Sequence, residues 1–181
     1  MKALFIALFV SLLLFGCGSP DLDDPKTLDG IIAQAIDEDK LQKRGKEGEE
    51  LFYVPNSQTP YTGWKKKLYK NGQVEELSHF KDGKLEGVVT VWHENGQKKV
   101  EINCKDGKLE GFGASWYENG EKKSEGNFKD GKLVTVTRWT PKGEKCPITN
   151  VVGGNGVVVD YNEDGTEKER TEIKNGEKVN D

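Results

Sequence analysis

The sequence predicts an all-β fold: an elongated antiparallel meander of stacked β-hairpins, with a short N-terminal helix after a signal peptide. Three observations carry this. Asn71-Gly72, Asn95-Gly96 and Asn119-Gly120 recur every 24 residues. Lys81-Asp82-Gly83-Lys84-Leu85, Lys105-Asp106-Gly107-Lys108-Leu109 and Lys129-Asp130-Gly131-Lys132-Leu133 recur at the same interval. Between them the apolar residues alternate, as in a strand with one buried face. A fixed period of this length means supersecondary units that bury their apolar surface only against neighbours.

The chain has 181 residues, and its first sixteen read as an export signal. Lys2 gives the positive start, and Ala3 to Phe15 is apolar except for Ser11. Thirteen helical residues span about 20 Å, too short for a bilayer core of about 30 Å. Leu14-Phe15-Gly16-Cys17 resembles the bacterial lipobox, with Phe15 bulkier than usual at its position. That resemblance implies a diacylglyceryl thioether on Cys17, cleavage before it and acylation of the new amine. The alternative is an ordinary secretory signal in which Cys17 is incidental. Gly18, where Asp would favour inner-membrane retention, points to the outer membrane.

Residues 17–50 read as a tether holding a short amphipathic helix. Asp24 supplies the N-cap and Pro25 the first helical position. Leu28, Ile31, Ile32, Ala35 and Ile36 fall on one helical face. The charge-rich stretch 37–50 reads as irregular. Residues 51–62 read as a capping hairpin opened by Leu51-Phe52-Tyr53-Val54, an atypical terminal unit that protects a sheet edge.

Residues 63–181 hold the repeats, three regular and two degenerate. In the unit from Gly111, Phe112, Ala114 and Trp116 alternate with Gly113, Ser115 and Tyr117. Asn119-Gly120 is read as a type I′ turn, because both central positions of that turn need φ > 0. The return strand puts Ser124, Gly126 and Phe128 on one face and Lys123, Glu125 and Asn127 on the other, and Asp130-Gly131 reverses the chain again. Trp139-Thr140-Pro141-Lys142-Gly143 and Tyr161-Asn162-Glu163-Asp164-Gly165 are worn copies of the Trp116–Gly120 stretch. Cys146 to Asn150 is an irregular insert.

Units of the form Gly-x4-Trp-Tyr-Glu-Asn-Gly-x-Lys-Lys-x-Glu-Gly-x-Phe-Lys-Asp-Gly-Lys resemble the MORN-repeat variant of YwqK-type antitoxin-like proteins, over about residues 51–178. The resemblance implies a repeat sheet, and elsewhere such repeats are linked to membrane association and protein scaffolding. Antitoxin or immunity activity against a toxin partner is the alternative it implies.

No catalytic constellation emerges. His79 and His93 are the only histidines, standing where other repeats carry Asn103 and Asn127, or Tyr69 and Tyr117. HExxH, Gly-x-Ser-x-Gly, P-loop and paired CxxC patterns are missing, so neither a metal nor a cofactor is expected. Cys104 occupies the position of Phe80 and Phe128, as a small buried hydrophobe or as a bridge partner for Cys146. Trp64, Tyr69, Trp92, Trp116 and Tyr117 line a groove for a peptide or glycan, or else stack as core. Lys98, Lys99, Lys122 and Lys123 form a basic stripe for headgroups or an acidic partner, or else serve solubility and edge protection.

Net charge is −4, unevenly placed. Residues 21–50 hold ten acidic and five basic residues, whereas residues 51–181 balance at 21 of each. A neutral body lacks the basic footprint of a nucleic-acid binder. The resulting expectation is a non-enzymatic, lipid-anchored envelope protein with a protein partner, its sheet serving as a binding or scaffold surface.

Overall fold

The computed structural model describes residues 20–179, so the export signal and Cys17 lie outside the described residues. Helix α1 (Pro25–Gln34) comes first. Strand β1 (Ile36–Asp37), a 3-10 turn (Glu38–Lys40), β2 (Gln42–Arg44) and β3 (Leu51–Tyr53) follow. The repeats then supply β4 (Gly63–Leu68), β5 (Val74–Lys81), β6 (Lys84–Trp92), β7 (Lys98–Lys105), β8 (Lys108–Trp116), β9 (Lys122–Lys129) and β10 (Lys132–Arg138). The chain closes with β11 (Gly156–Tyr161), β12 (Glu167–Lys174) and β13 (Glu177–Lys178).

Strands β4 to β10 pair in sequence order as an antiparallel meander, and β1 adds a parallel edge to β4. Two kinds of turn alternate along it. Asp82-Gly83, Asp106-Gly107 and Asp130-Gly131 each put two residues at positive φ, near 50° and 80°, between paired lysines. These are the type I′ turns. The Asn-Gly pairs are not, which corrects the expectation from sequence. Only Gly72, Gly96 and Gly120 take positive φ there. The amide of Gly72 donates to Tyr69 O at 2.9 Å, and that of Tyr69 to Gln73 O at 2.8 Å. This is a three-residue loop, a type I turn followed by a left-handed glycine. Each asparagine stays right-handed because its Oδ1 accepts from the amide two residues on: Gln73 at 2.9 Å, Gln97 at 3.0 Å and Glu121 at 3.0 Å.

The pairing defines two faces. Leu77, Thr90, Glu101, Ala114, Glu125 and Thr137 form one cross-strand row, and Ser78, Val89, Ile102, Gly113, Gly126 and Val136 form a row on the other side. Helix α1 lies on the first, hereafter the helix face. Asp24 caps it, Oδ2 accepting from Thr27 N at 3.0 Å, and Pro25 occupies its first turn. Leu22, Ile31 and Ala35 pack on Leu77 and Trp92, with Leu28, Ile32, Trp64 and Val74 around them. Lys66 Nζ donates to Ile32 O at 3.0 Å, satisfying a carbonyl of the last turn. Ile36, expected on the helical face, instead enters β1 beside Lys65.

The repeat frame explains where the helix docks. Positions 74 and 77 carry Val and Leu, whereas the next two units carry Lys98 with Glu101 and Lys122 with Glu125. Those lysines reach their glutamates at 2.6 Å and 2.8 Å. Ion pairs suit solvent, and apolar residues replace them under α1.

On the opposite face the N-terminal end is covered by the segment 38–62. The stretch 37–50 is not irregular: it forms the 3-10 turn and β2. Nor does 51–62 make its own hairpin, because β3 pairs upstream with β2. The returning segment gives β3 a backbone bond, Tyr61 N donating to Phe52 O at 2.8 Å, and hangs Phe52 and Tyr61 over Phe80 at ring-centroid distances of 4.8 and 6.3 Å. Buried Lys65 is held at 2.9 Å by both Glu38 and Glu76. Burial pushes its ammonium pKa down, but hydrogen bonds to Glu76 and Glu38 outweigh that and raise it.

At the other end the meander is not continuous. Strands β11 to β13 form a separate three-stranded sheet. It packs Val151, Val158 and Ile173 against Leu133 and Val136. The Asn175-Gly176 turn still docks as a repeat would: Leu133 N donates to Gly176 O at 3.1 Å and Gly176 N to Gly154 O at 2.8 Å. A Cβ at Gly176 would sit 2.6 Å from Lys132 Cβ, so only glycine fits.

Leu77→Glu restores the repeat residue yet buries a carboxylate under α1. It should lower unfolding stability by about 3 kcal/mol or more and expose residues 25–34 to proteolysis. Glu101→Leu, at the uncovered equivalent, should change stability by less than about 1 kcal/mol. Denaturant titration with limited digestion checks both.

Candidate interaction surface

Neighbouring units are tied at both ends of their hairpins by side chains that recur with the period. At the Asn-Gly end, Tyr69 Oη donates to Trp92 O at 2.6 Å and Tyr117 Oη to Trp139 O at 2.9 Å. His93 takes the same place, Nε2 lying 3.1 Å from Trp116 O. Asn95 Nδ2 donates to Glu118 O at 2.7 Å, and Asn119 Nδ2 to Pro141 O at 2.9 Å. At the Asp-Gly end, Thr62, Glu86 and Glu110 accept from the amides of Asp82, Asp106 and Asp130 at 2.8–3.0 Å. Asn155 does the same for Asn175 at 3.1 Å. Each turn is thus satisfied by the unit beside it.

The residues singled out from the sequence do not gather into one surface. Trp92 and Tyr117 are buried, the first under α1 and the second with its Oη on Trp139 O. Trp64 packs beside the helix, with the His79 ring edge-on at 5.2 Å. Tyr69 and Trp116 are half-buried. Lys98 is spoken for twice, by Glu101 and by Asp23 at 2.9 Å, and Lys122 by Glu125. Burial pushes the Lys98 pKa down, and the bonds to Glu101 and Asp23 raise it more. Lys123 Nζ sits 5.3 Å from the centre of the Tyr117 ring, and Lys122 Nζ 5.5 Å from that of Trp139. Lys99 alone of the four is exposed.

What the structure does assemble is a strip on the face away from α1. Val89, Val91, Val100 and Ile102 of β6 and β7 lie side by side there, half-buried. The segment 38–62 covers this face on one side and the β11–β13 sheet on the other. Ser115 and Ser124 continue the strip, their hydroxyls 2.6 Å apart. A cleft at its margin is lined by His93, Lys99, Val100, Ser115, Tyr117 and Glu163. Reading the sequence by motif missed this strip, because its valines look like ordinary core. The signal was available: one face of the β6–β7 unit is aliphatic, whereas the equivalent positions of the next unit carry Gly113, Ser115, Ser124 and Gly126.

Cys104 and Cys146 are both buried and free, so the bridge left open by the sequence does not form. Cys104 lies on β7 among repeat positions. Cys146 sits in the insert, where Tyr161 Oη donates to its Sγ at 2.9 Å and the Thr149 amide at 3.4 Å. Burial pushes the Cys146 thiol up, but those hydrogen bonds outweigh it and hold the pKa below its ordinary value. The same bond, with burial, pushes the Tyr161 phenol up to about 12. Among the described residues, no group of three or more His, Cys, Asp or Glu is placed to hold a metal ion.

Tyr117→Phe removes one rung between units and should cost about 1 kcal/mol of unfolding free energy. Tyr161→Phe should raise the midpoint of thiolate absorbance from Cys146, followed in a Cys104→Ser background. Because the Tyr161 pKa is raised on folding, its contribution to stability is complete below pH 10 and is lost as pH climbs toward about 12. An alkaline unfolding series on wild type and Tyr161→Phe reads this directly.

The family model for the MORN repeat variant matches residues 85–106 and 114–130. No curated protein and no solved structure matches the chain. The matched stretches cover nearly all of β6 and β7, and then the end of β8, its loop and β9. Within the central sheet, residues 85–106 and 114–130 are therefore similar to MORN-variant repeats.

Proposed function

We propose that this chain is a lipid-anchored protein of the bacterial envelope whose repeat sheet binds another protein. Repeats of this type commonly serve as protein- or membrane-binding scaffold modules. Two features of this chain support the reading. Leu14 to Cys17 carries the pattern expected of an acylated cysteine. The strip of Val89, Val91, Val100 and Ile102 is the observation that carries the binding role. It is apolar, only half-buried, and bounded by covered surface. Half-buried aliphatic strips of this kind resemble the core of a protein interface more than a solvated sheet face.

The partner reading favours a polypeptide over a glycan, because the strip is aliphatic and its aromatic neighbours are buried. Val100→Asp should abolish photo-crosslinking from residue 102 to the partner in intact cells while leaving the circular dichroism unchanged. If the crosslinked partner is a toxin whose activity the chain suppresses, the reading narrows to neutralisation. The anchor is tested separately. Cys17→Ala should move the protein from the membrane pellet to the soluble fraction, since one lost acylation site removes every acyl chain. Retention of that variant in membranes would refute the anchor.

A further inference from the structure

We infer that the cleft beside the valine strip seats a carboxylate of the docked polypeptide between Lys99 and Lys123. This rests on the polypeptide reading of the strip and adds the chemistry of the partner's contact residue. Both lysines owe their place to a break in the strand pairing. Val91 and Trp92 pair with Val100 and Lys98, so Lys99 is left over as a bulge. Ser115 and Trp116 pair with Ser124 and Lys122, so Lys123 is left over in the same way. A bulged residue has no cross-strand partner, and the bulge re-aims its side chain. Both lysines line one cleft with Val100, Ser115 and Glu163.

Their charges are open. Lys98 and Lys122, one residue earlier, pair with Glu101 and Glu125. Lys99 and Lys123 make no ion pair among the described residues; Lys123 Nζ lies 5.3 Å from the centre of the Tyr117 ring. The repeat frame makes this gap singular. The equivalent bulge one unit earlier holds Glu75, which pairs with Lys67 at 2.7 Å. The gap between Glu75 and Lys99 is therefore of mixed sign, whereas that between Lys99 and Lys123 is of one sign. The two stems leave the sheet two strand spacings apart, about 10 Å. Two flexible ammoniums at that separation can reach one carboxylate between them, each at about 2.8 Å.

The rest of the cleft fits the same group. The Ser115 and Ser124 hydroxyls lie 2.6 Å apart, so one donates to the other and the acceptor keeps its own proton for an anion. His93 is already engaged, its Nε2 3.1 Å from Trp116 O and its Nδ1 facing Glu118 at 3.9 Å. Glu163 enters from the loop between β11 and β12. Its carboxylate opposes a second negative charge, which favours a monoanion over a phosphate dianion. Val100 borders the cleft and belongs to the strip. An extended segment with an aliphatic residue on the strip therefore carries its Asp or Glu two positions on, about 7 Å away.

The test keeps the full chain in intact cells. A benzophenone-bearing residue at position 102 captures the partner, and a water-soluble carbodiimide joins amines to the carboxylates they touch. Carbodiimide links should map to Lys99 or Lys123 on one side and to an acidic side chain or C-terminus of the captured polypeptide on the other. Lys99→Gln combined with Lys123→Gln should lower the position-102 adduct about fivefold or more. Lys99→Arg combined with Lys123→Arg should restore most of it, with circular dichroism unchanged in both. A protein adduct whose yield ignores both lysines, and which carries no carbodiimide link to either, would overturn the carboxylate seat and leave the polypeptide reading standing. Position-102 adducts on lipid or glycan, or none at all, would sink that reading and the seat with it.

Discussion

Parity is the constraint on which this molecule depends. Side chains alternate between the faces of a strand, so a slip of one residue sends every apolar group to the wrong side. The three Asp-Gly turns prevent that slip. Two consecutive residues at positive φ allow only a two-residue reversal, with the flanking lysines locked opposite one another. The Asn-Gly loops use a different length, three residues, and are equally strict, because the asparagine carboxamide closes its own turn. Alternating strict turns of two lengths keep Leu77, Trp92 and Trp64 on one face and Phe80, Val89 and Ile102 on the other. Everything else, from the helix seat to the valine strip, inherits that sorting.

Between units the cohesion is polar at the rims and apolar in the middle. A lone hairpin is marginal in water, and these hairpins have one another. Each Tyr, His or Asn that crosses to the next unit satisfies a carbonyl that would otherwise face the seam. The two ends of the array are closed differently. The N-terminal end borrows a helix, a parallel strand and an aromatic loop. The C-terminal end folds a small second sheet against β10, which removes the open edge that would otherwise recruit another chain.

Much of the architecture was legible in the residues. The period, the strand alternation and the Asp24-Pro25 helix start reported local geometry, and local geometry is what a sequence states most directly. The type of the Asn-Gly turn was misread because Asn tolerates the left-handed region and also closes its own turn, and the pair alone does not distinguish these. Partners distant in the chain were harder. Nothing in Leu51-Phe52-Tyr53 announces that it pairs with Gln42–Arg44 and leaves the following loop free to cover Phe80. His93 stands where other repeats carry tyrosine. Its imidazole does the tyrosine's work, and the clue was that positions 69, 93 and 117 all carry a ring bearing a hydrogen-bonding atom. The surface was least legible, since exposure depends on what covers a face, and Val100 reads the same whether or not something lies over it.

A periodic sheet poses a problem of address. Its steps are nearly alike, about 10 Å apart, so an amphipathic segment could settle at several of them. Leu77 and Val74 break that symmetry. The next two seats present an ammonium and a carboxylate, and a displaced helix would have to strip both of water. One pair of substitutions thus makes a repetitive landscape singular for its own N-terminal segment, and a duplication or loss of units downstream would leave that seat untouched.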